Sequence, residues 1–129
     1  MNIVNVINNL EDMDHLLPAC NEDVATAEKE LGLTFAREYK EYVMEFGVVS
    51  ANGKELTGIT AFPRLNVVEV TKKEREYNEN IPSNMYVVES TGLEGIVILQ
   101  DESGAVYSSA PNQEPRKIYD SLADYLINT

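Results

Sequence analysis

The chain has 129 residues, 43% of them hydrophobic and 25% charged, with 22 acidic side chains against 10 basic ones and a net charge of −12. That length fits one domain, and a field of that sign repels phosphate backbones and anionic lipid, which argues against nucleic-acid and membrane-surface binding. A basic protein is attracted instead, and its encounter is accelerated.

Ile3, Val6, Ile7, Leu10 and Met13 recur at three and four residues, which predicts one apolar face of a first helix. Pro18 disfavours helical geometry at Leu17, and Asn21 can cap a second helix with Glu22 and Asp23 near its positive end. Val24, Ala27 and Leu31 form its inner face, and Gly32 stops it. In a third helix Ala36, Tyr39, Val43 and Phe46 face inward, Arg37, Lys40, Glu41 and Glu45 face outward, and Gly47 ends the run. Asn52-Gly53 reads as a turn before a strand around Glu55 to Ile59. The β-branched Val67, Val68 and Val70 favour a strand, and the Thr71/Glu74 spacing then opens a short helix at Thr71.

"NIPSN" is a turn cluster, after which "MYVVES" (85–90), "GIVILQ" (95–100) and "AVYSS" form a meander broken at "TGLE" and "DESG". Ile96 to Leu99 is apolar without alternation, which predicts a central strand covered on both faces. In "DSLADYLIN", Asp120 or Ser121 caps a last helix with Leu122, Tyr125 and Leu126 inward. Helices first, strands later and a closing helix predict a single α+β domain, helices packed on a largely antiparallel sheet, over residues 1–129. From the mass of 14.4 kDa the folded surface should be roughly 6,800 Å², so a standard partner footprint of about 800 Å² takes roughly an eighth of it.

Chemistry is sparse. Cys20 is the only cysteine, which excludes an intramolecular disulfide, points to a reducing compartment and leaves a small packing residue. His15, the only histidine, is expected to be solvated, and one Cys with one His does not make a zinc site. "DESG" (101–104) lacks the alternating ligands of a calcium loop and reads as a hairpin turn. "TGLEG" lacks the helix that a dinucleotide fingerprint must open. No cofactor, metal or catalytic residue is expected. Tyr39, Tyr42, Tyr119 and Tyr125 belong to core or core-edge patterns, whereas Tyr86 and Tyr107 either pack across strands or lie on an exposed sheet face. The N-terminal "MNIVNVINNLEDMDH" has no basic leader followed by a long apolar run, so a soluble cytoplasmic protein is expected.

"AEKELGLTFAREYKEYVMEFG" resembles the signature helix pair of the SUKH superfamily, with Glu28, Leu31, Gly32, Tyr39, Lys40, Phe46 and Gly47 in the patterned places. "NGKELTGI", with Glu55 and Gly58, is similar to the strand that follows, and the later segments keep the family order to "YDSLADYLI". Ala36 stands where the family commonly has Pro, and Val48 where it often has a second Gly. The resemblance implies an α+β fold without catalytic residues and an immunity protein that binds and neutralises a toxin, often a nuclease, in the producing bacterium. It also leaves open a non-catalytic interaction scaffold. A nuclease must present positive charge to hold phosphates, so the expected partner is a basic toxin domain. Carboxylates near the hairpin and sheet edge, Glu55, Glu89, Glu94, Asp101 and Glu102, are the expected contacts, with Tyr107 as an anchor.

Overall fold

Asn2 caps the first helix, its carboxamide oxygen accepting from the amides of Val4 (2.8 Å) and Asn5 (3.3 Å). In the computed structural model, which describes residues 2–129, this helix, α1, covers only Ile3–Asn8. The apolar periodicity running on to Met13 is therefore not one helix. Asn9 closes α1, its side chain bonding back to the Asn5 carbonyl, and Asp12 takes φ 54° in the turn that follows. Leu10 and Met13 still pack on the core, from that turn and from the approach to strand β1 (Asp14–His15).

Helix α2 (Asn21–Leu31) buries Val24, Ala27 and Leu31 as expected, and Gly32 ends it. Its cap lies one residue earlier than predicted, at Cys20, whose N–H donates to the Asp23 carboxylate at 3.2 Å. Cys20 is consequently exposed rather than a packing residue, because the extended cap position lies off the inward stripe. Helix α3 (Arg37–Phe46) buries Tyr39, Tyr42, Val43 and Phe46. The hairpin β2 (Val49–Ala51) to β3 (Lys54–Glu55) turns at Asn52 (φ 53°) and Gly53 (φ 73°), the two left-handed residues of a tight hairpin turn.

The predicted strand to Ile59 is shorter in its ladder. Beyond Glu55 it continues as isolated bridges, Leu56 to Glu89 antiparallel and Gly58 to Asn66 parallel, with Thr57 N–H bonding the Val88 carbonyl at 2.9 Å between them. Val67, Val68 and Val70 do not form a strand. Asn66 accepts from the amides of Val68 (2.9 Å) and Glu69 (3.3 Å) and starts helix α4 at Val67, through Tyr77. The cap outweighs the weak strand preference of three valines. Thr71 is not a cap but a buried acceptor for the Val87 amide at 3.0 Å.

Strands β4 (Met85–Ser90), β5 (Val97–Asp101), β6 (Val106–Ser109) and β7 (Arg116–Tyr119) pair antiparallel in that order. β7 carries too little apolar signal to be predicted, as befits a charged edge strand. β5 is covered on both faces, as its apolar run requires. Ile98 joins Tyr86, Val88 and Val106 in the main core, while Val97 and Leu99 join Ile81, Met85 and Val87 in a second, smaller one. Helix α5 (Leu122–Ile127) starts at Ser121, whose Oγ accepts from the Asp124 amide at 3.0 Å, and buries Leu122, Tyr125 and Leu126. The architecture is α+β, with exposed surface of 7105 Å², close to the expectation from mass.

Two glycines let three backbone segments touch. A Cβ on Gly58 would collide with the Gly47 carbonyl and sit 2.9 Å from the Val48 side chain; a Cβ on Gly47 would collide with the Leu17 carbonyl. The contact is reinforced by Ile59 N–H donating to the Gly47 carbonyl at 3.1 Å and Val67 N–H to the Gly58 carbonyl at 2.8 Å. This crossing welds the loop before α2, the end of α3 and the approach to α4.

Below it lies a hydrogen-bonded tyrosine cluster. Thr57 Oγ1 donates to the Val87 carbonyl (2.7 Å) and therefore accepts from the Tyr39 hydroxyl (2.9 Å). Tyr42 donates to the Thr57 carbonyl at 2.6 Å and accepts from the Val49 amide at 3.1 Å. Tyr86, one of the two strand tyrosines, is fully buried and packs against Phe35 and Tyr39 at 4.8 Å between ring centroids.

Candidate functional site

The predicted contact residues separate into two groups toward opposite ends of β5, which are about 14 Å apart at 3.4 Å per residue. Glu55, Glu89 and Glu94 lie toward one end. Glu55 is exposed and grips Arg64 through two bonds of 2.8 and 3.1 Å, and the guanidinium's hydrogen bond holds its carboxyl below the ordinary range. Glu94 is exposed in the β4–β5 turn with φ 51°. Glu89 is buried: it accepts from the Tyr125 hydroxyl at 2.5 Å and lies 3.9 Å from Lys54 Nζ, so it joins α5 to the sheet rather than facing outward.

Asp101, Glu102 and Tyr107 lie at the other end. Asp101 is half-buried and shapes the β5–β6 turn, accepting from the Ser103 amide (3.0 Å), the Ser103 hydroxyl (2.6 Å) and the Ala105 amide (3.2 Å). Its second oxygen accepts from the Tyr107 hydroxyl at 3.0 Å. Partial burial, together with that carboxylate, pushes the Tyr107 phenol up from its usual value. The two residues thus satisfy each other, and Glu102 is the member whose carboxylate stands free at the surface of the turn.

Glu102 belongs to a groove of about 610 Å³ whose charged lining is Glu38, Glu41, Asp120 and Arg37. Four carboxylates face one guanidinium there. Asp120 is held by Lys117 at 2.7 Å, whose hydrogen bond lowers its pKa, and Arg37 lies 3.4 Å from Glu41. Glu38, at the floor, accepts from the amides of Leu122 (2.7 Å) and Ala123 (2.9 Å) and from the Gln100 side chain (2.8 Å). It therefore caps the positive end of α5 from a distant helix. Gln100 in turn donates to the Gly104 carbonyl at 3.0 Å and accepts from Tyr86 at 2.8 Å. Glu38 is thus fixed in an internally bonded frame, and Glu41, Glu102 and Asp120 stand exposed around it.

The frame makes a stability prediction. Glu38→Ala leaves two helix-end amides and a buried carboxamide without their acceptor, and should cost about 3 kcal/mol, the scale of lost hydrogen bonds to a charged group. Urea denaturation checks it; a midpoint unchanged from the parent would show that α5 needs no such cap.

One surface had no place among the sequence-derived site residues. Leu16, Leu17, Pro18 and Ala19 face Ile59, Thr60, Ala61 and Phe62 across a mostly apolar groove of about 770 Å³, with His15 and Asp23 also in its lining. Leu17 is 84% exposed and Phe62 60%. The only signal in the sequence is that "HLLP" and "ITAFP" carry large apolar residues outside any periodic element. His15 is exposed as predicted, its ring 5.6 Å from that of Phe46.

Among the described residues no group of three or more His, Cys, Asp or Glu side chains is placed to hold a metal ion, and no helix is long and apolar enough to cross a membrane. The family model described as SMI1-KNR4 cell-wall, of the SUKH group, matches residues 3–129. No curated protein matches the chain.

Proposed function

The chain belongs to the SUKH superfamily, and from that premise we propose that it is an immunity protein, which binds a cognate toxin in the producing bacterium and neutralises it by occlusion. The superfamily includes immunity proteins. The observation that supports this reading for the present chain is the acidic groove, with Glu38 braced at its floor and Glu41, Glu102 and Asp120 exposed around it, in a protein of net charge −12. A nuclease toxin domain must carry positive charge where it holds phosphates, and a fixed array of carboxylates competes for that place. The partner proposed is therefore a basic nuclease domain, and the chain acts without catalysis, in the cytoplasm where the toxin is made.

Of the six residues expected at the interface, Glu102 is proposed as the principal contact. Asp101 and Tyr107 set the shape of the turn that presents it, and Glu55 and Glu94 form a separate acidic fringe. Glu89 would act inside the fold. Glu102→Lys combined with Asp120→Lys is expected to slow association with the toxin domain by roughly tenfold or more and to flatten its salt dependence, because steering charge acts mainly on the encounter. Stopped-flow mixing with a basic nuclease toxin domain from the same bacterium, beside a growth-rescue assay, reads both. Unaltered association rates at every ionic strength would remove the groove from the interface.

The family's description as cell-wall favours a second reading, a non-catalytic interaction scaffold. A chain that co-purifies with other cellular proteins, and whose host gains no protection from such a toxin domain, supports the scaffold instead.

A further inference from the structure

We infer that the apolar groove between residues 15–19 and 59–62 is a second docking site on this protein, and that it takes an apolar segment flanked by Lys or Arg side chains on the partner. This rests on the immunity reading for the partner's identity, and on the groove itself for the chemistry.

The apolar residues here are not scattered. Leu16, Leu17, Pro18, Ile59 and Phe62 line one groove of about 770 Å³, and contiguous exposed apolar surface of this kind marks interaction sites. Both walls are fixed. Leu16 N–H donates to the Val48 carbonyl and Ala19 N–H to the Val43 carbonyl, each at 3.0 Å, so the backbone carrying Leu17 is pinned on either side of it. Opposite, Ile59 N–H donates to the Gly47 carbonyl at 3.1 Å, and Asn66 Nδ2 holds the Thr60 carbonyl at 2.8 Å. The close contacts of Gly47 with Leu17 and of Gly58 with Gly47 set the spacing between the walls. Side chains presented from pinned backbone lose little freedom on binding, which favours a partner over solvent.

Charge selects the occupant. The groove's lining contains one carboxylate, Asp23, and no Lys or Arg, and the exposed Asp14 and Glu22 stand next in sequence to the lining residues His15 and Asp23, so its rim is acidic. A second copy of this chain would bring the same acidic rim and a net charge of −12 against it. An anionic bilayer is repelled by the same rim. An apolar segment with cationic flanks satisfies both the floor and the rim, and such segments belong to the basic partner class proposed above. Leu17 and Phe62 supply the anchors, and the acidic rim supplies orientation.

The test uses isotope-labelled full-length protein and a synthetic peptide with a Leu/Phe centre and Lys flanks. Amide signals of residues 15–19 and 59–62 should move on titration. Leu17→Ser with Phe62→Ser, both at exposed positions that leave the core intact, should weaken the peptide by at least about tenfold, as removal of two anchors does. Three results would overturn the proposal: no movement of those signals, equal binding of a Glu-flanked peptide, or a concentration-dependent dimer that perturbs the same amides. The double variant is then mixed with the toxin domain used in the association assay above. Undiminished affinity there removes the groove as the toxin's docking site while leaving the immunity reading intact. Absence of protection by the parent protein removes both.

Discussion

Gly58→Ala is expected to remove most of the domain's stability and to lower its melting temperature steeply. The residue is buried, and an added methyl would run into the Gly47 carbonyl, with the Val48 side chain 2.9 Å away. Gly47 cannot withdraw, because its own Cα faces the Leu17 carbonyl with no space between. Relief therefore requires three backbone segments to part, and with them the bonds from Ile59 to Gly47 and from Val67 to Gly58. A cost of about 4 kcal/mol follows, at the upper end of overpacking effects and comparable to the whole stability of many domains. Thermal melts followed by circular dichroism read it. Adding Val48→Ala should not rescue the variant, since the main collision is with backbone; a rescue, or a melting temperature within a few degrees of the parent, would falsify the backbone account.

Alkaline pH is expected to unfold the protein in one step, with tyrosinate absorbance appearing in the same transition. Tyr39, Tyr42 and Tyr86 are fully buried, and burial raises each phenol's pKa. A raised pKa means that the folded state holds its proton more tightly than the unfolded chain. The associated stability is fully present below the ordinary tyrosine value of about 10 and is lost as pH rises beyond it. Three such phenols remove about 4 kcal/mol per pH unit above that value. For a stability of 5–15 kcal/mol, unfolding falls at roughly pH 11–14. Gradual ionisation of all tyrosines near the ordinary value, with the helical signal intact, would show that the cluster is accessible to hydroxide.

Much of this cluster was legible in the sequence as helix periodicity. Tyr39, Val43 and Phe46 announce the buried face of α3, and the four apolar residues Ile96 to Leu99 announce a strand covered on both sides. Local capping chemistry was harder to weigh. Asn66 converts a valine-rich stretch into α4, and Asn9 with the Asp12 turn cuts α1 short of its apolar pattern. In both places a side-chain oxygen or amide bonding to nearby backbone outweighs periodicity and propensity. β7 escaped because edge strands are built from charged residues that resemble loop.

The site was legible only as sign of charge. Which carboxylates are free depends on partners far along the chain. Asp101 is occupied by Tyr107, Glu89 by Tyr125, and Glu38 by amides of α5 that lie 84 and 85 residues away. The apolar groove depends on Leu17 and Phe62 meeting across the glycine crossing, which no local pattern encodes.

The join between the two ladders has a dynamic consequence. Its backbone pairing runs through Leu56 and Thr57, by the bridge to Glu89 and the bonds to Val88 and Val87, with Lys54 reaching Glu89 from the hairpin. The ladder across this seam is short, but Val49, Ala51 and Leu56 share one buried core with Tyr86, Val88 and Ile98, so the hairpin opens its edge hydrogen bonds locally while the core on both sides stays joined. Deuterium should enter the amides of Leu16, Asn52 and Leu56 before those of Val87 and Leu99. Because the apolar walls stand on the faster side, occupancy there would reveal itself as retarded isotope uptake on that half of the molecule alone.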